Sequence, residues 1–222
     1  MLESLLPNVF WPEIGTASLE TLGMLAGAVP LTLLLGLPLG VVLFLTGPRQ
    51  LMENRPLYAF LSFIVNLLRS VPFVILLILM IPLTEVLVGT SLGVLGAIPP
   101  LVIGATPFFA RLVETALREV DRGIIEAMQS MGASLSQIIT RALLPEALPG
   151  LIAAVTVTAI TLVSYTAMSG LVGGGGLGDL AIRYGYQRYQ PDVMAVTVLL
   201  LLILVQALQS TGDRLVIHFS RK

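Results

Sequence analysis

The sequence predicts an all-α integral membrane protein with five transmembrane helices. Three observations carry that reading. The 222 residues are 56% hydrophobic and only 11% charged, where soluble domains carry about 25% charged residues. The mean hydropathy is +0.95. Apolar runs also recur that are long enough, at about 1.5 Å per helical residue, to cross roughly 30 Å of bilayer hydrocarbon. With no cysteine in the chain, neither a disulfide nor a thiolate metal site is available. The opening residues, MLESLLPNVFWPEIG, lack the basic segment of a signal peptide, which predicts that nothing is cleaved.

The first span is placed at Thr21 through Pro48, uncharged but punctuated by Pro30, Pro38 and the glycines Gly23, Gly27, Gly36 and Gly40. Glycines four apart suit close helix packing in lipid. Leu57 through Ile81 is the second span. The third runs from about Leu92 to Phe109 and continues as helix through ARLVETALREV. Leu151 through Met168 is the fourth, and Val193 through Gln209 the fifth. Basic residues then set the orientation. None precedes the first span. Arg49 and Arg55 follow it; Arg111, Arg118, Arg122 and Arg141 lie in the third loop; Arg214, Arg221 and Lys222 follow the fifth. They outnumber Arg183 and Arg188 in the fourth loop, so the N-terminus is expected outside and the C-terminus in the cytoplasm.

Between the third and fourth spans, EAMQSMGASLSQIITRALLPEALPG is the longest stretch suited to water. Asp121 can cap a short helix that places Ile124, Ile125, Met128 and Met131 on one face and Glu126, Gln129 and Ser130 on another. Gly132 ends it. Ser134 and Gln137 form a capping box for a second helix, with Leu135, Ile138, Ile139, Ala142 and Leu143 at apolar helical spacing. Pro145 stops or kinks that helix, and Pro149 stands at the entry to the fourth span. Two readings follow from pattern alone: a pair of helices lying in the lipid headgroups, or a pair received by a partner's groove.

Within the spans, Ser62, Asn66, Arg69 and the adjacent Ser70 follow helical spacing. An arginine at mid-bilayer costs about 2.5–3.5 kcal/mol on insertion scales. Arg69 is therefore expected either to reach the interface or to line a pore or subunit contact. Thr158, Thr161, Tyr165 and Met168 mark one face of the fourth span, as packing or as pore lining. Met168, near the outer end, is a candidate gate.

Other motifs are set aside. GGGGLG satisfies the dinucleotide pattern but follows a membrane span rather than a strand, and reads as flexible glycine punctuation. GLGD resembles an intramembrane protease signature, but the remaining aspartates, Asp121, Asp192 and Asp213, fall at predicted span ends, so no second carboxylate is available. The single histidine, His218, rules out a histidine metal cluster or triad. The chain has no G-x-x-x-x-G-K-[ST] phosphate loop.

EAMQSMG, nine further residues, and ALLP resemble the EAA loop of type I ABC importer permeases. Glu126, Ala127, Gly132, Leu144 and Pro145 match its pattern. Met128 and Ala142 stand where alanine and isoleucine are usual. NLLRSVPFVILL, GATPFFARLVE, LLPEALPGL, GGLGDLAIRYGY and GDR extend the resemblance along most of the chain, and are most similar to methionine-uptake permeases. The resemblance implies one permease domain over residues 1–222, with a core of about 17–211 and a cytoplasmic coupling loop of about 121–148. It implies that Glu126, Ala127, Met128, Gly132, Leu144 and Pro145 couple the chain to an ATPase. It also implies a homodimeric pore in the bacterial inner membrane, an ABC ATPase subunit that binds ATP and Mg²⁺, a substrate-binding lipoprotein or periplasmic protein, surrounding lipid, and no nucleic acid. No cofactor is expected in this chain. The alternative is a secondary transporter or channel that needs no ATPase; it calls for ionisable residues inside several spans, and Arg69 is the one candidate.

Overall fold

The computed structural model describes residues 6–220. The first five residues of the opening segment, and Arg221 and Lys222 of the orientation argument, lie outside the described residues. Those described are mainly helical, with no strand among them. In chain order the helices are α1 (Trp11–Thr46), α2 (Arg55–Ser70), α3 (Phe73–Leu79), α4 (Ile81–Val88), α5 (Gly93–Arg118), α6 (Arg122–Ser130) and α7 (Leu135–Ile138). A π turn (Ile139–Leu143) leads into α8 (Leu144–Glu146) and then α9 (Leu148–Ser169). A 3-10 turn (Gly170–Val172), α10 (Gly176–Leu180), a second π turn (Ala181–Tyr186) and α11 (Pro191–Ser220) complete the chain. The α1, α5 and α11 helices and the helical stretch Leu148–Val172 are long and apolar enough to span a membrane; α2 and α3 qualify only together, as a broken span.

Three expectations need correction. The second span is not one helix over Leu57 through Ile81, because helix stops at Ser70 and restarts at Phe73. Pro72 lacks an N–H and disfavours α conformation at Val71, so the chain passes through an extended residue at Pro72, with φ −56° and ψ 133°, before helix resumes. The α1 helix starts ten residues before the predicted Thr21, with Pro12 and Glu13 in its first turn, where both residue types favour helix initiation. Neither Pro30 nor Pro38 interrupts it. The α11 helix runs on past Gln209 to Ser220, so Asp213 and Arg214 are helical rather than beyond a span end; hydropathy marks where lipid suits a helix, not where the helix stops. Arg111 and Arg118 lie inside α5, in the helical continuation through ARLVETALREV that the sequence predicts.

The chain forms two compact units. One comprises Met1–Thr32, Val71–Ala105 and Ala159–Gln209. Its core contains Met24, Ala28, Leu101, Ala105 and Leu162, all fully buried. Gly23 and Gly27 face Val94 and Ile98 of α5, with matching four-residue spacing on both helices; a Cβ on Gly27 would lie 2.6 Å from Ile98. Phe73 stacks on Tyr165 with ring centroids 4.0 Å apart. The glycine-rich segment is anchored rather than loose. Glu20 accepts from the Gly176 amide at 2.7 Å, and Thr21 Oγ1 accepts from the Leu177 amide at 2.9 Å.

The second unit comprises Leu33–Ser70, Thr106–Thr158 and Ser210–Lys222. Gly36 and Gly40 repeat the device against Phe109 and Val113: a Cβ on Gly40 would lie 2.6 Å from both the Ala110 carbonyl oxygen and Val113. Phe44, Phe109, Val113, Leu117 and Leu143 form this unit's core, and Ile125 and Ile138 of the short helices belong to it.

Candidate functional site

The α6–α7 pair is built from local signals. The Asp121 side chain accepts from the Gly123 amide at 2.6 Å and starts α6. At its end the Ala133 amide donates to the Met128 carbonyl at 3.0 Å and the Gly132 amide to the Gln129 carbonyl at 2.9 Å, with Gly132 at φ +76°. This is a Schellman termination, and its left-handed residue is the one that favours glycine. Ser134 and Gln137 form the reciprocal capping box, with the Ser134 amide donating to Gln137 Oε1 at 2.8 Å and the Gln137 amide to Ser134 Oγ at 3.4 Å.

Pro145 does not end the second helix. The preceding π turn absorbs it, and the Leu144 amide donates five residues back to the Ile139 carbonyl. Widening the turn removes the clash a proline ring makes with the carbonyl four residues earlier. Pro145 is exposed and Leu144 half-buried.

Burial separates the two faces of α6. Ile125 and Ile138 are buried in the second unit's core, each withdrawal from water worth about 1.5–3 kcal/mol. The apolar side is thereby used within the chain. Glu126, Ala127, Gln129 and Ser130 are exposed, and Met128 and Ile124 are half-buried. Met131, expected on the apolar face, is instead 72% exposed, because α6 has ended and the turn at Gly132 carries it outward. Glu126 and Gln129 line a cleft of about 280 Å³ with Arg49, Gln50, Leu51, Arg122 and Ile125. The loop supplying Arg49 is braced: Glu53 accepts from Arg55 Nε at 2.8 Å and from the Arg49 amide at 2.9 Å, and these bonds, Arg55's first, hold its carboxyl below the usual carboxylate value.

A second feature escaped the sequence reading. Glu114 is 2% exposed and collects four hydrogen bonds: from Arg111 Nη1 at 2.6 Å, Arg118 Nη2 at 2.7 Å, Arg118 Nε at 3.2 Å and the Tyr58 hydroxyl at 3.1 Å. Arg111 Nη2 also donates to Asn66 Oδ1 at 3.0 Å. A buried carboxylate is tolerated only when so paired. The signal that could have found it is the arginine three residues before and four after one glutamate in ARLVETALR, which is helical pairing distance.

The remaining candidates are dispersed. Ser70 Oγ bonds back to the Asn66 carbonyl at 2.8 Å, and the Arg69 guanidinium lies 5.9 Å from the Phe108 ring. Thr158 is buried and bonds the Ala154 carbonyl at 2.7 Å. Thr161 is half-buried, as is Tyr165 in its stack with Phe73. Met168 is 40% exposed and lines an apolar groove of about 410 Å³ with Leu171, Ile182 and Leu202. The face expected to join Thr158 to Met168 is thus buried at one end and open at the other.

Residues 33–222 match the family described as "Binding-protein-dependent transport system inner membrane component". The chain is 56% identical over 201 residues to the probable D-methionine transport system permease protein MetI of Vibrio cholerae serotype O1, covering 90% of this chain and 89% of that one. It is 47% identical over 213 residues to the methionine import system permease protein MetP of Bacillus subtilis, covering 96% of each. Among solved structures it is similar to a chain of the MetNI methionine ABC transporter in an inward-facing conformation, with TM-score 0.92, 50% identity, and 94% and 97% of the two chains covered.

Proposed function

The chain belongs to the inner membrane components of binding-protein-dependent transport systems, and from that premise we propose that it is the pore-forming permease of an ATP-driven methionine importer. The named activities of the relatives support the substrate. A second copy completes the pore, an ABC ATPase docks on the α6–α7 pair, and a substrate-binding lipoprotein or periplasmic protein delivers methionine. ATP and Mg²⁺ belong to the ATPase, so hydrolysis occurs on another chain. The balance of arginines supports an N-terminus outside and α6–α7 in the cytoplasm.

One observation carries this reading. The apolar side of α6 is committed to the chain's own core through Ile125, while Glu126, Ala127, Gln129, Ser130 and Met131 face outward. A helix lying in headgroups would direct its apolar side to lipid; this one holds that side fast and offers a polar face to a partner. Glu126 anchors the contact, Met128 joins it to the core, Gly132 makes the turn, and Leu144 and Pro145 set the return. Closure of the ATPase subunits then biases the inward and outward states through its different affinity for each. Of the candidate pore residues, Asn66, Arg69, Ser70 and Met168 are exposed and suit lining roles, while Thr161 is half-buried. Asn66 and Tyr165 position neighbours through Arg111 and Phe73.

The test is capture of the co-expressed ATPase by the solubilised permease. The wild type is expected to retain it and Glu126→Arg to lose at least about tenfold in retention, as for disruption of a central anchor. Capture by neither protein overturns the reading.

A further inference from the structure

The segment between α10 and α11 carries an arrangement that neither span packing nor coupling uses. Tyr186 is 71% exposed and Tyr189 88% exposed, with Arg188 exposed between them. Such residues are ordinarily mobile, yet here each backbone turn is held. Gly185 is buried against Met194, where a Cβ would lie 2.8 Å from the Met194 Cβ. The Gln190 amide donates to the Tyr184 carbonyl at 3.2 Å, closing the loop. Tyr189 sits at φ +54°, a left-handed conformation that disfavours a bulky side chain and persists only where its surroundings enforce it.

The charges are arranged unequally. Arg183 and Arg188 both approach the Tyr184 ring, with centroid distances of 5.0 and 4.5 Å. Arg183 is neutralised by Asp179 at 2.6 Å and approached by Glu13 at 3.7 Å. Arg188 has no carboxylate within salt-bridge distance among the described residues. It is a cation held in place by a ring, beside two exposed tyrosines on a strained, closed loop. Tyrosine and arginine dominate the energetics of protein interfaces, and rigid presentation reduces the ordering cost of binding. A headgroup anchor needs no such fixed backbone.

We propose that Tyr186, Arg188 and Tyr189 form the surface on which the transport system's binding protein docks, with Arg188 receiving an acidic side chain of that protein. The family match supplies the partner class, since its members serve binding-protein-dependent systems. The inference rests on the permease reading above and on this segment lying outside.

The test uses the permease–ATPase complex in nanodiscs, with ATP hydrolysis followed as binding protein is added. Arg188→Glu, Tyr186→Ala and Tyr189→Gly are compared with the wild type; glycine removes the Tyr189 ring while accepting its backbone angle. Basal hydrolysis is expected unchanged, with the binding-protein concentration for half-stimulation raised about tenfold or more for Arg188→Glu, and a salt dependence weaker than the wild type's. Wild-type stimulation reproduced by all three variants overturns the docking surface. A defect confined to nanodiscs of anionic lipid, absent in neutral lipid, overturns it in favour of headgroup binding. A wild-type complex that hydrolyses ATP but is not stimulated by the binding protein overturns the docking surface alone, whereas failure of the chain to form a hydrolysing complex with the ATPase overturns the permease reading and the docking surface with it.

Discussion

The Tyr58 hydroxyl donates to the Glu114 carboxylate at 3.1 Å, joining α2 to α5 across 56 positions of sequence. Arg118 Nη2 reaches the same hydroxyl at 3.3 Å, so the phenol is both donor and acceptor in the network. Glu114→Ala leaves two arginines facing each other without their anion. A fully buried pair loses about 3–5 kcal/mol when broken; with the Arg118 side chain 40% exposed, about 2–3 kcal/mol is expected here. Thermal unfolding in detergent should fall by about 5–10 °C, with a smaller fall for Tyr58→Phe.

Gly132→Val should act on coupling rather than on packing. No atom lies within 4 Å of where a Cβ would stand, so the cost is the left-handed backbone alone, about 1–2 kcal/mol. The expected result is ATP hydrolysis by the complex with methionine uptake reduced severalfold, while the thermal midpoint falls by only about 2–6 °C. Gly132→Asn, which tolerates that angle better, should recover much of the uptake.

Gly40→Val should fail by packing. Its side chain would meet the Ala110 carbonyl and Val113, and neither backbone nor buried neighbour can withdraw. Overpacking of this kind costs about 1–3 kcal/mol or more, read as lost yield and a lowered melting temperature. Gly15→Ala on the same helix has open space around it and should be neutral.

The Phe73–Tyr165 stack separates ring from hydroxyl. Tyr165→Phe keeps the stacked pair and should leave stability within about 0.5 kcal/mol, whereas Tyr165→Ala should lose the about 0.5–1.5 kcal/mol that such pairs add, plus its buried area. Uptake measured beside thermal stability distinguishes a positioning role from a lining one: Tyr165→Phe with full stability and lost uptake would place the hydroxyl in the translocation path.

What was legible in the sequence was what is encoded within a few residues. Asp121, Gly132 and the Ser134–Gln137 box act on backbone groups two or three residues away, so the spacing already states the geometry. Gly23, Gly27, Gly36 and Gly40 were legible as a packing device because their four-residue period is itself the contact surface. The break at Pro72 was locally written but masked by hydropathy, which is as high after the proline as before it. The Glu20–Gly176 bond joins residues 156 apart, and no local pattern announces it. Glu114 lies between these cases: its arginines are at helical spacing, while Tyr58 became visible only in the fold.

The π turn at Ile139–Leu143 gives the α7–α8 stretch one residue more than a regular α-helix would need, which shifts the phase of every side chain after it by about 100°. The stretch therefore behaves as a screw with a deliberate slip in its thread. Removing a single residue between Ile138 and Leu144 would do more than shorten it. The thread would run true, the Pro145 ring would be driven against the carbonyl four residues back, and Leu143 would rotate away from Phe109 and Leu117. The length of this connector is thus constrained to the residue, although its ends are joined by only one turn.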